Sequence, residues 1–250
     1  MTVKPVEKRS IEFAKVQKMR ELMYGSFRSA AVMRRIIPTR FVNESSKDVE
    51  FFKIGINRIT ERTWLVDQRE LEEYWAFDGI GEQIGRSIAI SENKGIIEQI
   101  LKECKNDSET VNLSELSENI FKNKPAFDII LTNTYSTHEF WKMENFKSTG
   151  SINRMPFCEG RLFNKIVYWS NVLPKDTTLM INSNKFAEIL EKKPLGLQVY
   201  EDLSDINIDD LPELQNKNIK EFIRLLAHEI IGLKIMDKSA IIILKTKVNK

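Results

Sequence analysis

The sequence is short of the residues that usually announce chemistry. It holds two cysteines, Cys104 and Cys158, and two histidines, His138 and His228, among 250 residues. Two cysteines so far apart make no disulfide framework, and a reducing interior such as the cytoplasm is expected. Two distant histidines also leave the zinc-helix pattern incomplete. "HEIIG" at 228–232 has the first ring and the acid, but Gly232 stands where the second ligand belongs. No run of about 18 apolar residues occurs, so no membrane-spanning helix is expected. The opening "MTVKPVEKRS" lacks the apolar centre of a secretory signal. A strong charge of either sign is missing as well. The 38 Lys and Arg against 36 Asp and Glu leave +2, which gives no whole-molecule attraction to nucleic acid.

What is present is a globular composition, 42% hydrophobic and 30% charged, enough for one large domain or two small ones. The segments that resemble chemical motifs read more simply as structure. "GIGEQIG", 79–85, has the spacing of a dinucleotide loop, but charged "ELEEYWAF" precedes it instead of a buried strand. It reads as a kink and a closely packed helix start. No phosphate-binding P-loop occurs, and nothing local pairs Cys158 with a base. Glu201 and Asp202 are adjacent, so on a strand they point to opposite faces and make a poor carboxylate dyad. Arg34, Arg35 and Arg40 bracket a helix end, where cations are favourable, and read as a solvated end.

Periodicity supplies the elements. Phe13, Val16, Met23 and Phe27 share a face of a helix over 11–37, ended by Pro38. Phe52, Ile54 and Ile56 alternate, as do Ile59 and, more loosely, the Trp64–Val66 end, with Gly55-Ile56-Asn57 placed for a turn or bulge. This predicts a two-stranded ribbon, which must lie on its own body or on a neighbour because isolated hairpins are marginal in water. A short acidic helix, a glycine break and a long helix over 82–104 follow, the last striped by Ile84, Ile88, Ile96, Ile97 and Ile100. Ser114 caps a helix reaching Ile120. A strand at 127–131, a helix in "STHEFWKMENF" and strands near 166–169 and 179–181 complete an α+β body. "PLGLQVYED" reads as a strand, and 203–220 as an exposed acidic loop. The stretch 219–235 carries both helical and alternating spacing. Taken alone it predicts a helix to Ile230 with Gly232 as its stop. "SAIIILK" closes as a buried strand.

The order of these elements resembles the HK97-type capsid fold of tailed phages and of encapsulin nanocompartments. "LPKDTTLMINSNKFAEILEKKPLGLQVYED" is similar to the encapsulin stretch that runs from Leu-Pro through a short strand to a strand ending in Tyr-Glu-Asp. "FIRLLAHEIIGLKIMDKSAIIILK" resembles the family's last long strand and its Ala-apolar-Leu-Lys ending. "RELEEYWAFDGIGEQIGRSIAISENKGIIEQIL" is similar to the segment leading into its spine helix, and "KPAFDIILTN" to a peripheral-domain strand. The resemblance turns 222–230 from helix into strand. It implies an α+β, HK97-type chain: a helical arm at 1–42, an extended loop at 43–66, and a peripheral domain with the spine helix at 67–145. An axial domain at 146–190 follows, then closing strands with an inserted acidic loop at 191–250.

The function it implies is not enzymatic. The chain would be a cytoplasmic shell protomer, an icosahedral homo-oligomer with no cofactor or metal, enclosing a cargo enzyme through that enzyme's C-terminal targeting peptide. Phe13, Val16 and Met23 are the expected cargo-peptide contacts, and Phe52, Ile54, Ile56 and Ile59 the expected contacts between subunits. The alternative is a major capsid protein of a tailed virus or provirus enclosing DNA, the one case with nucleic acid as partner. A soluble enzyme with an unrecognised site is the third reading.

Overall fold

The computed structural model describes residues 11–43, 49–61, 75–105, 108–112, 115–122, 126–133, 140–148, 158–200 and 222–247. In chain order the helices are α1 (Ile11–Ala30), α2 (Met33–Ile36), α3 (Trp75–Glu103) and α4 (Leu116–Lys122). The strands are β1 (Thr39–Phe41), β2 (Phe51–Glu61), β3 (Ser108–Asn112), β4 (Ile129–Thr132), β5 (Phe146–Ser148) and β6 (Cys158–Leu162). They continue with β7 (Lys165–Trp169), β8 (Thr177–Ile181), β9 (Ala187–Tyr200), β10 (Phe222–Ile235) and β11 (Ile241–Lys247). Among the described residues no helix is long and apolar enough to cross a membrane.

Strands buried on both faces read as unbroken apolar runs. Ile129–Thr132 and Thr177–Ile181 are buried at every position, and both lie inside a seven-stranded sheet of order β3-β11-β8-β4-β7-β6-β5. Ile130 stands opposite Met180 on one side and Val167 on the other. These three form one core with Leu244, Phe140, and Leu116 and Ile120 of α4. Each such side chain contributes roughly 1.5–3 kcal/mol on burial. Leu162 pairs with Lys165 across a two-residue turn. Phe163 and Asn164 take φ of 50° and 67° there, the left-handed pair that a tight hairpin needs. Phe163 packs partly against the same core.

A four-stranded sheet has the order β1-β9-β10-β2. The chain divides into two compact units: Met1–Arg28 with Lys53–Ile88 and Pro194–Ile230, and Ser29–Phe52 with Ala89–Lys193 and Ile231–Lys250. The seven-stranded sheet belongs wholly to the second.

Several sequence expectations need correction. The helix over 11–37 is interrupted, with Ala31 and Val32 between α1 and α2. No glycine break precedes the long helix: α3 runs unbroken through Gly79, Gly81 and Gly85. No turn interrupts β2 at Gly55, because the strand continues to Glu61 beside β10. Of "STHEFWKMENF", only Phe140 and Trp141 are helical in the described part. The strand expected at 222–230 is present and extends to Ile235. Gly232 is no stop: a Cβ there would stand 2.6 Å from Val49 Cγ1 and 3.0 Å from Glu50 O, so the residue serves a close approach. Glu201, Asp202 and the acidic loop lie outside the described residues.

Candidate functional site

The helical arm carries the first candidate surface. Val16, Met19, Met23 and Phe27 recur at helical spacing and are buried, Met23 completely. Their cover begins at the glycines of α3. A Cβ on Gly81 would come within 2.6 Å of Met19 O and 3.2 Å of Leu22 Cβ. One on Gly85 would overlap the Met23 carbonyl oxygen and lie 2.9 Å from Phe27 N. Spaced four apart, these glycines share one helix face and let two backbones approach as no larger residue would. "GIGEQIG" is therefore a helix-crossing notch. Ser26 Oγ donates to Glu82 O at 2.9 Å in the same crossing.

The arm is also tied to "PLGLQVY". Tyr24 OH donates to Leu195 O at 2.8 Å, and Arg20 to Leu197 O at 3.2 Å. The sheet partner β1 matches β9 only over Ile189–Glu191. Side chains from α1 thus supply donors to carbonyls that β1 does not reach. Met23 is packed inside its own chain, 0% exposed. Val16 keeps 8% exposure, and the side chain of Phe13 lies outside the described residues.

A polar bracket that sequence reasoning missed lies further along α3. Its buried stripe steps through Ile84, Ile88, Ala89, Ile96, Ile97 and Ile100, and the turn between holds Glu92 and Asn93, 0% and 3% exposed. Glu92 accepts from Arg34 Nε through both oxygens, at 3.1 and 2.8 Å. Arg34 Nη1 donates to Glu191 of β9 at 2.7 Å. Asn93 Oδ1 accepts from Met33 N at 3.1 Å, and its Nδ2 donates to Ala30 O at 2.9 Å. One side chain thus satisfies a donor and an acceptor flanking the interruption between α1 and α2. Arg40 pairs with Glu188 at 3.3 Å, and Arg35 donates to Ser29 O at 3.2 Å. Arg34 and Arg35 are thus half-buried on internal partners, while Arg40 keeps the exposed side chain expected of a solvated end, 59% accessible. The sequence signal was the missing apolar turn in an otherwise regular stripe.

The expected ribbon begins as a strand of the chain's own sheet. Phe52 is half-buried, and a Cβ on Gly95 of α3 would stand 2.7 Å from its ring. Lys192 Nζ lies 5.6 Å from the centre of the Phe51 ring. Ile54 is buried, while Ile56 and Ile59 are half-buried. Arg58 donates to Gln83 Oε1 and Arg224 to Asn57 Oδ1, both at 2.8 Å. The outer edge of β2 has no strand beside it among the described residues. Of the expected return arm, 58–61 instead continues β2, and 62–66 lies outside the described residues.

No family model and no curated protein matches the sequence. Solved structures do match. A virus-like particle from Pyrococcus furiosus aligns over 92% of this chain and 98% of its own, at 11% identity and a TM-score of 0.57. The capsid of an empty GTA particle aligns over 88% and 91%, at 12% identity and 0.57. A Mycobacterium phage Bobi structure aligns over 88% and 91%, at 11% identity and 0.55. The chain has the α+β, HK97-type capsid fold.

Proposed function

We propose that this HK97-type chain is a non-enzymatic protomer of a closed icosahedral shell, an encapsulin-type nanocompartment that encloses a cargo enzyme in the cytoplasm. The observation that carries the reading is the two-way correspondence with the Pyrococcus virus-like particle, 92% of this chain against 98% of that one. Almost every element of a chain that forms a particle has its counterpart here. Identical subunits meeting through heterologous surfaces close into rings and, with several axes, into shells. The outer edge of β2 suits such contacts, since open edges recruit further chains. Phe41, Ile90, Trp141 and Met236 are large apolar residues about half exposed, surface that neighbours in a shell would cover. In this reading 43–66 reaches the neighbouring subunit, with Ile56 and Ile59 nearest its outer part. Domain 67–145 carries the spine and 146–190 the axial domain. Cargo peptide docks on the arm near Phe13 and Val16.

Negative-stain microscopy with mass measurement tests it. Uniform round particles, with protein-like absorbance and an enzyme co-purified inside, are the expected result. A monodisperse monomer at high concentration would sink the proposal. Particles filled with nucleic acid would transfer the chain to the second reading, a major capsid protein, which the equal TM-score of the GTA capsid supports.

A further inference from the structure

The second compact unit holds a cavity of 180 Å³ where the end of α3 meets one border of the seven-stranded sheet. Leu101, Pro174 and Ile243 supply apolar lining, and Lys105 and Lys245 bring two ammonium groups. Both lysines are exposed, and neither has a carboxylate within ion-pair distance among the described residues. Asp176, the single acid of the lining, accepts from its neighbour Thr177 Oγ1 at 3.2 Å. With all three ionised, the lining carries a net charge of +1.

Ser108, another lining residue, is also the first residue of β3. Among the described residues that strand is the border of the sheet and pairs with β11 alone, in parallel, with Ser108 opposite Ile243 and Thr110 opposite Lys245. Its burial is low, with only Val111 covered. An apolar recess, uncommitted cations at its rim and an open strand edge therefore adjoin one another.

We infer that this place receives the C-terminal end of an extended peptide. The last, apolar side chain enters the recess, the terminal carboxylate meets Lys105 and Lys245, and the preceding residues lie along the outer edge of β3. Each feature selects one part of that ligand. The volume lies below the roughly 300 Å³ at which drug-sized pockets begin, so it suits a single side chain. Strand addition supplies backbone hydrogen bonds without sequence preference, and recesses beside the edge supply specificity. Two lysines that are not already paired complement a carboxylate, whereas neutral peptide ends gain nothing from them. The inference does not rest on shell formation, because every group named belongs to one chain.

The test is fluorescence anisotropy on the purified full-length chain in its native assembly state. The probes are fluorescein-labelled Gly-Ser-Gly-Ser-Val-Leu with a free carboxylate and the same peptide amidated. Saturable binding of the acid is expected, weakened about tenfold or more by amidation, as loss of a charge-assisted hydrogen bond implies. Lys105→Gln with Lys245→Gln should weaken the acid form by a similar factor and leave the amide form unchanged. Both residues are exposed, and unchanged circular dichroism establishes that the variant folds. Equal binding of acid and amide, undiminished binding by the double variant, or no binding at millimolar protein each overturns the inference. So does displacement by inorganic phosphate as effective as by unlabelled peptide, which would make the site a general anion contact.

Discussion

Gly85 of α3 and Met23 of α1 meet backbone to backbone, with no room for a Cβ between them. Gly85→Ala must therefore push the helices apart or strain the seam, at about 1–3 kcal/mol for an overpacked site. Gly79 lies in the same helix with nothing closer to a new Cβ than Gln83 Nε2 at 3.9 Å. Gly79→Ala is expected to stabilise by about 0.5–1 kcal/mol through helix propensity alone. Urea midpoints of the two variants should move in opposite directions. A shift of the same sign in both would refute the notch.

Glu92 and Glu191 both grip Arg34, but their surroundings differ: the Glu92 side chain is 0% exposed and that of Glu191 17%. Glu92→Ala removes both acceptors of Arg34 Nε and leaves a half-buried guanidinium without its fully buried acid. The expected cost is about 3–5 kcal/mol, typical of breaking a buried pair. Glu191→Ala leaves the Glu92 contact intact and should cost no more than about 1 kcal/mol. A double-mutant cycle with Arg34→Ala checks the assignment. Additive losses would show that the three do not act together.

The contrast between this bracket and the sheets explains what the sequence made legible. Ile-Ile-Leu at 129–131 and Ile-Ile-Ile-Leu at 241–244 declare buried strands because burial on both faces forbids polar residues. The stripe of α3 is readable for the same reason. Asn93 was not: a polar residue in an apolar stripe gives no hint that its partners are Ala30 O and Met33 N, some sixty positions earlier. Glycines misled most. Gly55 and Gly232 look like a turn and a stop, and Gly79, Gly81 and Gly85 like a break. Local propensity assigns them to loops, whereas tertiary contact uses at least Gly81, Gly85 and Gly232 as notches. The helix-or-strand ambiguity of 222–235 was resolved by overall element order, since its residues satisfy both periods.

In the proposed shell, β2 and the residues after it have two jobs that truncation can separate. Deleting 47–60 removes nearly all of an edge strand and the Phe52 ring that lies on Gly95. Loss of soluble, folded subunit is therefore expected, and not merely loss of particles. Deleting 62–66, beyond the last residue of β2, is expected to leave subunit circular dichroism unchanged while particles disappear. If instead the longer deletion yields folded subunits, β2 is not integral to its own sheet.

Acid should loosen the link between β10 and β11 at a defined place. Asp237 Oδ1 accepts from Ser239 Oγ at 2.7 Å and from Ser239 N at 2.9 Å, capping the short 3-10 turn Lys238–Ala240. The Ser239 hydroxyl bond, then its amide bond, hold the Asp237 carboxyl below its ordinary 3.8. A carboxyl whose folded pKa is depressed contributes stability above its unfolded pKa and loses it as pH falls through the folded value. The loss therefore sets in below pH 3.8 and is complete once the folded form is protonated. Asp237→Asn keeps an acceptor but cannot titrate, so its stability should lack this acid limb. Carboxyl carbon shifts followed by NMR against pH read the group directly. A midpoint at or above 3.8 would mean that Ser239 does not hold the ionised form.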